Sequence, residues 1–173
     1  GHQPAAEAAE KKAAAIIVSQ EVELPKQSET TLIRVEDTRY ALAFVSAAWF
    51  DHPAKKLTTI GITGTKGKTT TTYLVKSILE NAGRKVGLVG TIEIIIGDTH
   101  IHAVNTTPES YLLQEYFAKM VESGCDTVVM EVSSQALMLH RTQGFVFDFG
   151  IFTNLEPDHI GPNEHGSFEE YAH

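Results

Sequence analysis

Apolar and polar positions along this chain fall into two kinds of block. Short apolar runs, rich in β-branched residues, occur at 14–19 (with Ile16-Ile17-Val18), 31–35, 57–63, 86–89, 127–130 and 147–152, and they read as strands. Longer stretches with helical character lie at 5–13, 37–50, 68–81 and 108–123. In the second of these, Asp37 is placed to cap the helix and Ala41, Leu42, Val45 and Trp49 share one face. Gly83 and Gly124 stand just past the ends of the third and fourth, where a left-handed residue closes a helix. Residues 92–96 and 99–104 are expected to pair as a hairpin around Gly97-Asp98.

Strands that alternate with helices imply a mainly parallel sheet with helices on both faces. The expected fold is α/β: a P-loop-type mononucleotide-binding sheet, preceded by part of a smaller α/β domain. Asp51-His52-Pro53-Ala54 interrupts the pattern, so the expected domains are 1–52 and 53–173. The start lacks Met and has no signal-peptide pattern, and the stretch from Phe168 to His173 stops inside a helical pattern. Both ends are therefore expected to be cut, leaving a sheet with a bare edge.

Charge and cysteine content narrow the setting. A formal net charge of −8 argues against a nucleic-acid partner. The one cysteine, Cys125, permits no intramolecular disulfide, which fits a reducing compartment, and it reads as a small buried apolar residue. No apolar run is long enough to cross a bilayer. His2, His52, His100 and His102 read as surface or structural residues.

The informative stretch is Ile60-Gly61-Ile62-Thr63-Gly64-Thr65-Lys66-Gly67-Lys68-Thr69-Thr70, which comes after a strand and opens a helix. Gly64 and Gly67 let the backbone fold tightly against phosphate oxygens, and the helix start adds positive partial charge. Lys68 is placed to reach the β- and γ-phosphates, and the Thr69 hydroxyl to ligate Mg²⁺. Ile62 stands where the common phosphate-loop pattern has its first glycine.

Gly64-Thr65-Lys66-Gly67-Lys68-Thr69-Thr70 closely resembles the phosphate loop of the Mur ligases, which add amino acids to a nucleotide-linked peptidoglycan precursor. Four further stretches resemble the UDP-N-acetylmuramoyl-tripeptide synthetase branch of that family, in order: Asn105-Thr106-Thr107-Pro108, Met130-Glu131-Val132-Ser133-Ser134, His140-Arg141, and Phe152-Thr153-Asn154-Leu155-Glu156-Pro157-Asp158-His159. The resemblance implies an ATP-dependent amide ligase that activates a carboxylate as an acyl phosphate, with ATP and Mg²⁺ as cofactors. It implies ATP binding by Gly64 through Thr70, and substrate contacts from Asn105, Thr106, Thr107, Ser133 and Arg141. Lys68, Glu131 and His159 would be catalytic, and Thr69, Glu131 and His159 would hold metal.

The resemblance further implies a UDP-muramyl-peptide and an amino acid (lysine or diaminopimelate) as substrates. It implies a monomer in the bacterial cytoplasm, of which this chain is an interior part, inactive alone. After Asp158-His159, the run 160–165 departs from the family pattern and leaves His165 without a role. Three alternatives stay open at this stage: a folylpolyglutamate-synthase-like ligase, a P-loop phosphotransferase or NTPase, and a non-catalytic nucleotide-binding module. Asn105-Thr106-Thr107 and Met130 through Ser134 count against the first.

Overall fold

A computed structural model describes residues 2–157 and 166–172. The chain forms two compact units, Gly1–Leu42 and Ala43–His173. In the first, helix α1 (His2–Glu10) precedes two parallel strands, β1 (Ala15–Val18) and β2 (Thr31–Arg34), in register from Ala15 opposite Thr31 to Val18 opposite Arg34. Helix α2 (Thr38–Trp49) comes next and runs through the division between the units. Asp37 caps it as expected, its Oδ1 accepting from the amides of Arg39 and Tyr40 at 2.7 and 3.0 Å. The buried residues of α2 are Ala43, Ser46 and Ala47, whereas Leu42, Val45 and Trp49 are exposed. The face expected from the large apolar residues is thus the outward one. Small side chains, which allow close packing, mark the inward one.

The second unit is built on a six-stranded sheet. After a 3-10 turn at Pro53–Lys56 come β3 (Thr58–Thr63), α3 (Lys68–Asn81), β4 (Val86–Val89), β5 (Glu93–Ile96) and β6 (Thr99–His102). The rest comprises α4 (Ser110–Glu122), β7 (Thr127–Glu131), α5 (Ser134–Met138), β8 (Phe149–Phe152) and α6 (Phe168–Ala172). The strand order is β6-β5-β4-β7-β3-β8; β4, β7, β3 and β8 run parallel, while β5 and β6 form the expected antiparallel hairpin at one edge.

Side-chain alternation sorts the core. Val128 and Met130 of β7 pack with Leu113, Phe117 and Met120 of α4, while Val129 faces the other way and packs with Ile60, Ile62, Val86 and the inner side of α3. Glu131, two residues beyond Val129, therefore points to the α3 side. At the other edge, among the described residues, β8 pairs only with β3, and its Phe149 and Phe152 are 60% and 63% exposed. Cys125 is buried within the α4-side core.

Candidate functional site at the carboxyl ends of the strands

Neighbouring parallel strands end on the same side of the sheet, so the loops that leave them converge. Ile62 of β3 lies opposite Glu131 of β7, and the glycine-rich loop begins two residues later. Gly64 sits at φ 127°, and a Cβ there would lie 2.2 Å from Thr153 Oγ1 and 2.8 Å from the Asn154 carbonyl. Only glycine satisfies both the angle and the approach. Gly67, at φ 84°, turns the chain into α3, and Lys68 is the first helical residue. Its ammonium folds back onto the loop, donating to the Gly64 carbonyl at 2.7 Å and the Thr65 carbonyl at 3.1 Å.

Glu131 is the last residue of its strand and is only 1% exposed. Its Oε2 accepts from the Thr69 hydroxyl at 2.9 Å and from the Thr91 hydroxyl at 3.1 Å, and its Oε1 accepts from the Thr91 amide at 2.8 Å. These donors are all neutral. A carboxylate this buried ordinarily faces a cation, and the Thr69 hydroxyl can donate to Glu131 while its oxygen lone pairs remain available to a metal. The donor set of Thr69 and Glu131 therefore fits a hard divalent cation such as Mg²⁺, which prefers oxygen ligands. Among the described residues no cluster of three His, Cys, Asp or Glu side chains exists. Asp158, His159, His165 and His173 lie outside the described residues, and so does the metal role expected for His159.

The other expected residues gather opposite the loop. Pro108 does not begin a helix, because α4 starts at Ser110 behind an extended Glu109. Asn105 through Thr107 are thus not its cap. Instead the Thr107 hydroxyl, fully buried, donates to the Glu131 carbonyl at 2.9 Å and accepts from the Ser133 amide at 3.1 Å. The Thr106 hydroxyl lies 3.1 Å from that of Thr91. Ser133 caps α5, accepting from the Ala136 amide at 3.2 Å.

Helix α5 then closes by a Schellman arrangement. His140 takes the left-handed position at φ 56°, its amide bonds to the Leu137 carbonyl, and the Arg141 amide bonds to that of Ala136. This closure delivers Arg141 to the cleft. Its guanidinium donates to the Thr107 carbonyl at 3.2 Å and pairs with Glu109 at 2.7 Å. Its Nε, buried, has no hydrogen-bond partner among the described residues.

One cleft of about 510 Å³ is lined by Gly64, Lys68, Thr91, Asn105, Thr106, Thr107, Ser133 and Arg141, and Glu131 is bonded to two of these, Thr91 and Thr107. Its rim carries Val104, 92% exposed. Thr91 is the member to which the sequence does not point. No short motif marks a threonine at the end of β4, and only the β4–β7 pairing brings it to Glu131.

A family description, Mur ligase middle domain, matches residues 62–173. The chain is 49% identical over 171 residues to the UDP-N-acetylmuramoyl-L-alanyl-D-glutamate--2,6-diaminopimelate ligase of Clostridium perfringens, covering 99% of this chain and 34% of that protein. The ligases of the same name from Caldanaerobacter subterraneus and Bacillus licheniformis are 48% and 47% identical, over 93% and 100% of this chain and 33% and 34% of their own lengths. A solved structure of a ligase of that name superposes with a TM-score of 0.78 at 25% identity, over 96% of this chain and 33% of the other. The chain thus spans about a third of the length of the relatives it matches.

Proposed function

Because the chain belongs to the Mur ligase family, we propose that its parent protein is an ATP-dependent amide ligase that joins 2,6-diaminopimelate to UDP-N-acetylmuramoyl-L-alanyl-D-glutamate. Residues 1–52 would be the end of the domain that holds the uridine substrate, and 53–173 the start of the central ATP-binding domain. One observation carries the reading: Gly64 and Lys68 of the phosphate loop line a single cleft with the Asn105–Thr107, Ser133 and Arg141 cluster, and the buried Glu131 is bonded to two residues of its wall, Thr91 and Thr107. A nucleotide site alone would not need the second wall. The choice of amino acid rests on the names of the relatives.

In this reading the first turn of α3 receives the triphosphate, and Lys68 exchanges its two loop carbonyls for phosphate oxygens. Thr69 and Glu131 would hold Mg²⁺, which supplies neutralisation of charge on the transferred phosphoryl group. Arg141, with one N–H still to be satisfied, orients the anionic substrate. Thr107 and Ser133 fix the wall against which the substrate lies. The reacting carboxylate attacks the γ-phosphorus, ADP leaves, and an acyl phosphate results. The amine of the incoming amino acid then displaces phosphate to form the amide. Positioning and charge compensation account for the chain's share of the work.

Calorimetry with ATP and Mg²⁺ on the 173-residue chain and on Lys68→Ala tests the nucleotide half. Binding by the first and its loss in the second is the expected result, and equal binding by both would overturn it. The chain alone is expected to form no amide, so turnover by it would overturn the division of labour proposed here.

A further inference from the structure

The segment after β8 resembles a family motif, but of its residues only His159 gains a role from that resemblance. Thr153 and Asn154 lie within the described residues, and they touch the phosphate loop. The Asn154 side chain spans Lys66: its Oδ1 accepts from the Lys66 amide at 2.9 Å, and its Nδ2 donates to the Lys66 carbonyl at 2.9 Å. The Thr153 hydroxyl donates to the same carbonyl at 2.8 Å. The Asn154 backbone carbonyl accepts from the Thr65 amide at 3.0 Å. Thr65 is held further through its hydroxyl, which accepts from the Glu156 amide at 2.9 Å and lies 2.7 Å from the Tyr171 hydroxyl.

This bonding constrains a loop meant to hold phosphate in two ways. The amides of Thr65 and Lys66 are already donating, to Asn154, so they do not point into the cleft. The anion cradle then falls to Gly67 and the first turn of α3, whose N–H groups have no partner within the helix. In addition, the loop's shape is imposed from outside. A loop of Gly64-Thr65-Lys66-Gly67 has many conformations of similar energy, and the apparent affinity of a ligand falls with the fraction of the population in the competent one. The 153–154 segment selects that conformation by making both backbone groups of Lys66 part of a fixed frame. Gly64 belongs to the same frame, because Thr153 fits only where no Cβ stands.

We infer that Asn154, seconded by Thr153, is a positioning residue for nucleotide binding: it clamps the Lys66 peptide so that Gly67 and the start of α3 present a preformed phosphate cradle. The inference rests on the nucleotide-binding reading and goes beyond it by naming what shapes the loop and which amides hold the phosphates.

The test uses the 173-residue chain with ADP and ATP, measured by calorimetry, and the ³¹P resonance of bound ADP. Five proteins are compared: native, Lys68→Ala, Asn154→Leu, Thr153→Val and Thr153→Ser. Asn154→Leu is expected to weaken nucleotide about tenfold, the change that two ordinary hydrogen bonds carry, and Thr153→Val by less. At saturating ADP the β-phosphate resonance of Asn154→Leu is expected to shift from that of the native chain, because the cradle is re-formed differently. A residue that merely stabilised the fold would lower the melting temperature and leave that resonance where it was. Thr153→Ser, which keeps the hydroxyl, is expected to restore what Thr153→Val loses, and it serves should Asn154→Leu not fold.

Native affinity and an unmoved β-phosphate signal in both Asn154→Leu and Thr153→Val, with binding lost in Lys68→Ala, would overturn the clamp and leave the nucleotide site standing. Absence of binding in the native chain, or equal binding in Lys68→Ala, would overturn the nucleotide site and the clamp with it.

Discussion

The two ends of the central sheet use carboxylates in opposite ways. At the amino ends of the strands, Asp148 accepts from the Thr59 amide at 2.8 Å and the Thr59 hydroxyl at 3.0 Å, stitching the start of β8 to β3. Asp126 accepts from Arg84 at 2.8 Å beside β7. Both carboxyls are held below the ordinary range, Asp148 chiefly by the Thr59 amide and Asp126 chiefly by the Thr127 hydroxyl. At the carboxyl ends, Glu131 is buried among neutral donors, one of which, Thr91, lines the cleft. The first pair is surface-accessible and its charge lowers the free energy of the folded chain. The second is a charge kept out of water with no cation among its hydrogen-bond partners in the described residues, an arrangement that favours binding at the expense of stability. One sheet thus has a structural end and a functional end, and charge alone does not tell them apart. The difference lies in exposure.

Substitutions can break this contrast, in order of effect. Lys68→Ala is expected to weaken nucleotide by about 3 kcal/mol, over a hundredfold, while melting at nearly the native temperature; calorimetry and a thermal melt check both halves. Glu131→Gln is expected to lower Mg²⁺-dependent tightening of ATP binding by about tenfold to a hundredfold, with Mg²⁺-free ATP affinity unchanged; titration with and without Mg²⁺ decides it.

Thr107→Val, which keeps shape but leaves the Glu131 carbonyl and the Ser133 amide without this partner, is expected to cost about 2 kcal/mol in urea unfolding. It would show that the functional end also has structural bonds beneath it. The smallest change is expected at the other end. Asp148→Asn and Asp126→Asn should each lower stability modestly at neutral pH and leave ligand binding alone. Their folded-state pKa values lie below the unfolded carboxylate value of about 3.9, so their stabilisation is full above that pH and is lost as pH falls through the folded values. Unfolding followed from pH 6 to pH 2 should therefore show a shallower acid decline in each variant than in the native chain.

Much of this was legible in the sequence wherever a local rule applied. The strand before Gly64, the helix from Lys68 and the closing Gly83 each depend on neighbours a few residues away, and the structure has all three where the pattern puts them. The mainly parallel sheet likewise arises from strand–helix alternation. What the pattern misjudged was burial decided at long range. Trp49, Val45 and Leu42 look like a core face, yet Ala43, Ser46 and Ala47 face inward. The helix expected from Pro108 begins only at Ser110, and the Thr107 hydroxyl before it bonds to β7. Helix α5, of five residues, is too short for periodicity to reveal. Thr91 and Asn154 reach the site across 40 and 88 residues of sequence, to Glu131 and Lys66, and no spacing rule connects them.

The burial of Cys125 has a practical consequence. A buried thiol in an apolar core reacts slowly with maleimides and iodoacetamides, so the chain behaves as if it had no cysteine to label. A single cysteine introduced at Val104, exposed at the rim of the cleft, would then be the one site that takes a dye. The fluorophore would sit at the cleft mouth, where the arrival of a ligand changes its surroundings. Binding could then be followed on the millisecond scale by stopped-flow mixing, without altering any residue that lines the phosphate loop.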